Sequence, residues 1–355
     1  MYCKAPTMKT RPSTAQTLIA LALSLGAAVA QAALPTLCVW DPIGRGGKLF
    51  GVARSYSWAM EAKGFKLDLK AYSDESVAAQ DFKVGQCDAL LATSMRTRSW
   101  VSLPTALDYP GAATIVKDGK VDIEASYQVI GQALRALATP QADRLMTQGD
   151  HEVAGIVPIG ATYLLLRDRT LLKRHLAGAR MPAFDNDKLQ LYMIAKAGGV
   201  PVAANSRNFG TLFNNGNLDV VFAPALAFQA LELHKGLGTS GGVSRFPLAF
   251  TSLQIVIKRD KFPKEFGRSS RLYWADQFKL MTIGARKAEA SIPAAQWVDF
   301  EGDEGLKFVA MQRESRVAAG KAGHYHPVGL SFMKRVRCQV HPDALDCARQ
   351  DELVW

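Results

Sequence analysis

Residues 178–224 constrain the fold most, because short apolar runs and amphipathic segments alternate there with almost no chain left for connections. Arg180–Phe184 and Leu218–Phe222 are apolar runs of strand length. The residues that recur at helical spacing between them, ahead of a glycine pair, are Leu189, Tyr192, Met193 and Ala197. The pattern predicts strand, helix, strand, helix, strand, which is a parallel α/β unit.

A second unit of the same kind opens the chain after residue 36. Its predicted elements are, in order, a strand at Leu37–Trp40, a helix at Leu49–Ala62, a strand at Phe65–Tyr72, a helix at Asp74–Val84 and a strand at Cys87–Thr93. Two α/β halves of this kind form a cleft between their strand ends, where small ligands usually bind. The sequence therefore predicts a two-lobed α/β protein with a ligand cleft.

The first 32 residues are typical of a secretory signal peptide. Lys9 and Arg11 precede the apolar run Leu18–Ala30, and Ala30-Gln31-Ala32 has the small residues of a cleavage site. The run is shorter than the roughly 20 residues that a membrane-spanning helix needs. We therefore expect the mature protein to be soluble and exported.

The mature chain remains basic. Without the leader's Lys4, Lys9 and Arg11, and with no acidic residue lost, the formal net charge falls by three from +11 to +8. The positive charges are dispersed and not gathered in a stripe with interleaved aromatic residues, which argues against nucleic acid as a partner. Anionic solutes and an anionic membrane surface are both compatible with this charge.

Four cysteines remain after the leader, and an even number in an oxidising compartment favours disulfides. Cys38 and Cys87 lie on the first and third predicted strands, which are neighbours in a sheet of 2-1-3 order, so we pair them. Cys338 then pairs with Cys347 across a ten-residue loop, CQVHPDALDC. By the chain-entropy model this second closure is worth on the order of 2–3 kcal/mol.

Three short motifs suggest chemistry that their context does not support. Asp41–Lys48 is a glycine-rich turn, but Pro42 and Leu49 stand where a phosphate-binding loop or dinucleotide fingerprint needs other residues, so it is either a plain turn or an anion-holding backbone loop. Gly238–Gly242 has GxSxG spacing without the preceding strand and following helix. His324-Tyr325-His326 lacks an acidic or cysteine partner. We expect no catalytic site, no metal and no cofactor.

Four segments occur in an order and spacing found in a known family: Leu176–Met181, Gly198–Val202, Phe213–Asp219 and Ile292–Trp297. On these segments the chain resembles the periplasmic solute receptors of TRAP-type transporters, in a branch known only as solute-binding proteins. Such receptors usually carry an arginine two positions after the residue matching Arg180, and that arginine pairs with the ligand's carboxylate. Pro182 stands there in this chain, so another group, such as Arg45, Arg96 or the glycine-rich turn, would have to hold an anionic ligand.

The resemblance implies a periplasmic-binding-protein-like fold of type II, in which each lobe is a mostly parallel sheet with flanking helices. We expect lobe I at residues 33–155, lobe II at 156–252, and a return to lobe I with C-terminal helices at 253–355. The crossings are expected near His151–Thr162 and Phe246–Ile257. The implied function is capture of a small solute, which could be anionic, by a monomeric periplasmic protein that delivers it to membrane subunits of a transporter.

The expected ligand-binding residues lie where predicted strands end. They are Trp40, Asp41, Arg45, Tyr72, Thr93, Ser94 and Arg96 from the first lobe, and Phe184, Asp185, Asn186, Asn208 and Phe209 from the second. Aromatic groups would stack on the ligand and polar groups would orient it, although Trp40 and Phe209 could equally be core residues. Two alternatives stay open: an exported hydrolase using Asp41, Asp74 and Asp185, and a signalling or interaction subunit that does not transport.

Overall fold

The computed structural model describes residues 1–7, 34–184, 187–300, 302–344 and 346–353. Residues 34–355 form one compact unit, and residues 1–33 form a separate one. The expected signal peptide falls mostly outside the described residues. Among those that are described, no helix combines the length and apolar composition that a membrane crossing requires.

Strands and helices alternate through the first two thirds of the unit. The strands are β1 (Thr36–Trp40), β2 (Asp68–Tyr72), β3 (Ala89–Thr93), β4 (Val116–Lys117), β5 (Lys120–Val121), β6 (Thr147–Gln148), β7 (His151–Leu166), β8 (Arg180–Phe184), β9 (Val200–Ala204), β10 (Val220–Pro224), β11 (Gly242–Lys258) and β12 (Trp297–Val298). The helices are α1 (Lys48–Glu61), α2 (Glu75–Lys83), α3 (Ser94–Thr97), α4 (Ile123–Leu137), α5 (Thr170–Lys173), α6 (Lys188–Lys196), α7 (Phe209–Asn214), α8 (Ala225–Ala230), α9 (His234–Leu237), α10 (Phe266–Ala290), α11 (Glu304–Lys321) and α12 (Pro327–Val340).

The first half is a parallel sheet in the order β2-β1-β3. The 2-1-3 order predicted from the sequence is therefore confirmed. It places Cys38 on β1 beside Leu90 on β3, and Cys38 forms a disulfide with Cys87 across a Cα–Cα distance of 5.9 Å. The second predicted disulfide, Cys338–Cys347, is also present, with its Cα atoms 5.7 Å apart.

The second half contains the five elements predicted for residues 178–224, and they are β8, α6, β9, α7 and β10. Strands β8 and β9 pair in parallel from Arg180 against Val200 to Phe184 against Ala204. Strand β10 pairs antiparallel with β7, and the Asp219 N–H beside it donates to the Arg180 carbonyl at 2.9 Å. The parallel arrangement therefore holds for β8 and β9, while β10 joins the central sheet.

Two long antiparallel strands, β7 and β11, connect the halves. One end of β11, Leu253–Ile257, pairs with β3, while β7 pairs through Thr162–Leu166 with β10. The segments where crossings were expected, His151–Thr162 and Phe246–Ile257, lie within these two strands, and the lobe boundaries remain predictions. Gly160 has φ +124° in β7, a conformation that glycine adopts without strain, and the β7–β11 register shifts nearby between Thr251 and Ser252.

The C-terminal segment, which the sequence-based boundaries assign to lobe I, also packs against the connecting strands and the second half. Helix α10 packs on β7 so closely that a Cβ at Gly155 would lie 2.6 Å from the Trp274 ring. Beyond it, β12 pairs with β11 at Val243, and Phe308 of α11 packs in a buried cluster that includes Met181 of β8. The pairing of β12 with β11 joins backbone positions that are far apart in the chain, so the local sequence pattern could not indicate it.

Candidate functional site

Loops from the two halves meet where their strands end. Arg98 follows β3, and its Nη1 lies 3.5 Å from Oδ1 of Asp187, which follows β8. Arg207 follows β9, and its Nη1 lies 3.2 Å from Oδ2 of Asp74, which follows β2. We call the surface between the loops after β2 and β3 and the loops after β8 and β9 the seam. Described polar residues that follow strands of both halves therefore border it.

Arg96, a predicted site residue, has a carboxylate partner within its own half. Glu75 is buried at the start of α2; its Oε1 accepts the Thr93 N–H at 2.7 Å, and its Oε2 lies 3.7 Å from Arg96 Nε. Burial raises the pKa of Glu75, and the hydrogen bonds from Thr93 oppose that rise. Thr93 and Arg96 thus belong to one buried network at the end of β3.

Ser94 links the end of β3 to the crossing strand β11. Its Oγ donates to Asp108 Oδ2 at 2.6 Å, and Ser252 donates both its backbone N–H and its hydroxyl to the same carboxylate at 2.7 Å. Burial raises the pKa of Asp108 to about 6 despite these hydrogen bonds. Asp108 also lines a small cavity beside the crossing strands, together with Tyr127 and Phe250.

The carboxylates of Asp41 and Asp74 hold helix starts. Asp41 is 2% exposed and accepts the N–H groups of Ile43 and Phe50, each at 2.9 Å, which fixes the glycine-rich turn and the beginning of α1. Asp74 accepts the Ser76 N–H at 2.8 Å as the N-cap of α2. The hydrogen bonds from Ser76, together with the weaker contribution of Arg207, lower the pKa of Asp74.

Two further first-half candidates are Tyr72, the last residue of β2, and Arg45, in the turn between β1 and α1. The Tyr72 hydroxyl donates to Asp81 Oδ2 at 2.5 Å, so its polar end is occupied within the first half. Arg45 is exposed, and its guanidinium carbon lies 5.7 Å from the centre of the Phe50 ring. The ligand-binding roles of Tyr72 and Arg45 remain predictions.

Three aromatic rings of the second half lie near one another at the end of β8. The Phe184 ring lies 6.1 Å from Phe209 and 6.4 Å from Phe222, measured between ring centroids. Asn208 is exposed, and its Oδ1 accepts the Asn205 N–H at 2.8 Å in the turn before α7. The candidates Asp185 and Asn186 lie outside the described residues. The roles predicted for Phe184, Asn208 and Phe209 remain predictions.

Asp187 and Gln190 are buried seam residues that the sequence reasoning missed. Asp187 is the N-cap of α6, and its Oδ1 accepts the Gln190 N–H at 3.2 Å. Gln190 Oε1 in turn accepts the Phe184 N–H at 2.6 Å. The Asp-x-x-Gln spacing is that of a capping box, and this signal could have identified both residues. Their place opposite Arg98 depends on the tertiary fold.

Several buried N–H donors at or after the ends of β1 and β3, on β11 and at the seam have no hydrogen-bond partner among the described residues. They are the Nε1 of Trp40, the Nε of Arg96 and of Arg98, and the Nε2 of Gln190 and of Gln254. Unpartnered atoms occur elsewhere too, such as Trp274 Nε1 in the core. The described carboxylates of the seam, Asp74 and Asp187, by contrast accept hydrogen bonds, so the described part of this region has a surplus of donors.

No group of three or more histidine, cysteine or acidic side chains that could hold a metal ion occurs among the described residues. Cys38, Cys87, Cys338 and Cys347 are all in disulfides.

Comparison with known proteins identifies relatives over nearly the whole chain. A family model described as solute-binding protein AdeT 1/2 matches residues 57–352. The probable solute-binding protein AdeT1 of Acinetobacter baumannii is 39% identical over 319 residues, which cover 88% of this chain and 100% of that protein. The probable solute-binding protein AdeT2 of the same organism is 27% identical over 215 residues, covering 60% of this chain and 90% of that protein.

Solved structures share the fold at low sequence identity. A TRAP periplasmic solute-binding protein from Desulfovibrio salexigens, with bound orotic acid, has a TM-score of 0.64 and 11% identity, covering 86% of this chain and 99% of its own. A second TRAP periplasmic solute-binding protein, from Ralstonia eutropha H16 with bound (S)-2-acetolactate, has a TM-score of 0.65 and 12% identity. The match covers 87% of this chain and 98% of that protein's chain. The predicted two-lobe α/β fold class and the resemblance to TRAP receptors are therefore confirmed.

Proposed function

Because this chain belongs to the solute-binding protein AdeT 1/2 family, we propose that it captures a small, oxygen-rich molecule at the seam and delivers it to membrane subunits of a transporter. The surplus of buried donors is the observation that carries the choice of ligand. Leaving a buried donor unpaired costs about 1–3 kcal/mol. A ligand with several acceptor oxygens would pair those donors and favour the conformation in which both halves contact it.

The bound molecules of the fold neighbours agree with this choice. Orotic acid and (S)-2-acetolactate, named for two of them, each carry a carboxylate and further oxygen acceptors. The aromatic rings around Phe184 would pack on the body of such a ligand, as aromatic side chains do in many binding sites. Delivery to a transporter would take place in the periplasm, after export through the leader expected at residues 1–32.

The two described carboxylates of the hydrolase alternative, Asp41 and Asp74, do not favour it. Asp41 and Asp74 serve as acceptors for backbone N–H groups at helix starts, and a general base needs a carboxylate free to approach the substrate. The relatives are described as solute-binding proteins. Turnover of a captured molecule by the purified protein would reverse this assignment.

Native mass spectrometry tests the proposal. The protein would be isolated from periplasm without dialysis, and we expect one small molecule bound per chain, which is released on unfolding and rebinds in calorimetry. Trp40→Phe removes the unpartnered indole donor but keeps a ring, and at about 1 kcal/mol for one hydrogen bond it should weaken rebinding about fivefold.

Trp58→Phe is the matched control, because Trp58 is 61% exposed on α1, and its affinity should equal that of the parent protein. An empty protein that binds nothing from a periplasmic extract would overturn the proposal. Equal rebinding by Trp40→Phe and the parent protein would count against a ligand site beside Trp40.

A further inference from the structure

Arg98, like Arg207, contacts a carboxylate of the opposite half. Its side chain is 23% exposed, and Nη1 lies 3.5 Å from Asp187 Oδ1. Charge-assisted N–H···O bonds are usually about 2.7–2.9 Å long. The pair is therefore loose, and the buried Nε of Arg98 has no partner at all among the described residues.

Arg96 is held as loosely as Arg98, because its Nε lies 3.7 Å from Glu75 Oε2 and has no hydrogen-bond partner among the described residues, but Glu75 belongs to its own half. Arg180 is held more completely. Arg180 places Nε and Nη2 at 2.9 and 2.6 Å from the two carboxylate oxygens of Asp219, and Nη2 also donates to the Gly216 carbonyl at 2.8 Å. Arg207 pairs with Asp74 at the exposed edge of the seam, where its side chain is 60% exposed. Arg98 thus combines partial burial with unused hydrogen-bonding capacity.

A second unpartnered donor lies next to the same carboxylate. Gln190 is 7% exposed, its backbone N–H donates to Asp187, and its side-chain Oε1 is fixed by the Phe184 N–H. Its Nε2 has no partner among the described residues. Asp187 therefore stands between two groups, Arg98 and Gln190, that could each bind a further oxygen.

We propose that Arg98 and Gln190 form the seat for a carboxylate of the ligand, and that Asp187 is an internal competitor which the ligand displaces from Arg98. A planar carboxylate fits the guanidinium fork with two hydrogen bonds, whereas Asp187 makes one long contact. Asp187 keeps its role as N-cap of α6 after displacement, because that role depends on its bond with the Gln190 N–H. This inference rests on the proposed solute capture and names the ligand class.

Asp187 would thereby reduce the affinity for every anionic ligand. Asp187→Asn removes the negative charge and leaves Arg98 available to the ligand. Helix α6 keeps its N-cap, since asparagine caps helices as well as aspartate does. The inference therefore predicts opposite effects for two neighbouring substitutions. Arg98→Gln should weaken carboxylate binding, and Asp187→Asn should strengthen it.

Calorimetry with matched probes tests the seat. The probes are malonate, pyroglutamate and orotate, each paired with its primary amide, at one fixed salt concentration. For at least one pair the carboxylate should bind tenfold or more tightly than the amide. Arg98→Gln should lose at least tenfold for that carboxylate and lose the discrimination against the amide, while Asp187→Asn should gain threefold or more.

Arg245→Gln is the control, because it removes the same charge from an exposed ion pair, with Asp299, that lies outside the seam, and it should change carboxylate affinity less than twofold. Melting curves without probe establish that each variant is folded. Equal binding of amide and carboxylate, unchanged binding in Arg98→Gln, or weakened binding in Asp187→Asn would each overturn the seat. Binding of neutral solutes alone would overturn it while leaving solute capture intact, whereas failure of every probe and an empty protein from periplasm would count against both.

Discussion

The variant Glu352→Gln tests the buried charges that hold the C-terminal tail. The Glu352 carboxylate, in a residue 1% exposed, accepts from Arg316 Nε at 2.8 Å and from Arg337 Nη2 at 2.6 Å. Arg316 also donates to the Pro110 carbonyl at 2.6 Å, and Arg337 also donates to Asp346 at 2.8 Å. After the substitution Arg316 has no hydrogen-bonded carboxylate from Glu352, whereas Arg337 still has the carboxylate of Asp346.

Removing one member of a buried ion pair typically costs about 3–5 kcal/mol, because the remaining charge stays buried without compensation. We expect the lower end, about 3 kcal/mol, since the amide oxygen still accepts one hydrogen bond and Arg337 keeps Asp346. At about 2 °C per kcal/mol for a chain of this size, the melting temperature should fall by roughly 6 °C.

The pH dependence provides a second measure of the same group. Burial raises the pKa of Glu352, but Arg316 and Arg337 outweigh it and lower the pKa from 4.5 to about 2. Because the folded-state pKa is depressed, the carboxylate contributes its full stability above pH 4.5 and loses it as the pH falls towards 2. Glu352→Gln should therefore lose less stability than the parent protein over that range.

Calorimetric melting and urea unfolding at pH 7 measure the difference in the free energy of unfolding. Glu314→Gln is the control, because Glu314 lies on the same helix as Arg316 but its side chain is 74% exposed, and it should change stability by less than about 0.5 kcal/mol. A loss below about 1 kcal/mol for Glu352→Gln would refute the reasoning, since the buried arginines would then not depend on this carboxylate.

Three further variants test the packing, the tail and the crossing region. Gly155→Ala should cost about 1–3 kcal/mol in urea unfolding, because the new Cβ would lie 2.6 Å from the Trp274 ring; no loss would contradict that close approach. Replacing Cys338 and Cys347 together by serine should cost about 2–3 kcal/mol, and unchanged stability would mean that the disulfide does not constrain the tail. Burial raises the pKa of Asp108 from 3.8 to about 6, so parental stability should fall as the pH rises through that range; Asp108→Asn should abolish the fall, and an identical pH profile would contradict it.

The fold could be predicted where it depends on local periodicity and on strand adjacency. The elements of residues 178–224 follow from apolar spacing alone, and the Cys38–Cys87 disulfide follows from the 2-1-3 order. The pairing of β10 with β7 could not be predicted, because an antiparallel partner 54 or more positions away leaves no mark on the local pattern of either strand.

The site could be predicted only to the level of the loops. The sequence indicated that polar residues after β3 face the cleft, but it favoured Arg96 over Arg98. The structure gives Arg96 a partner in Glu75, on a helix 21 residues earlier, and pairs Arg98 with Asp187, which lies 89 residues later. Which of two neighbouring arginines contacts the opposite half depends on these long-range contacts, and the spacing of the arginines carries no information about them.

The position of Pro182 shows why the choice of arginine matters for mechanism. An arginine on β8 would present its charge from the second half, but Pro182 has no donor there and Arg180 is occupied by Asp219. If the ligand's carboxylate is held by Arg98, the cation comes from the first half and the competing carboxylate from the second. Any movement that separates the halves would then free Arg98 from Asp187 and expose it to the ligand, and closure would set the two carboxylates in competition. The affinity for the ligand should accordingly depend on how much better the ligand's carboxylate binds the Arg98 guanidinium than the Asp187 carboxylate does. Asp187→Asn changes this difference without altering the charge of Arg98.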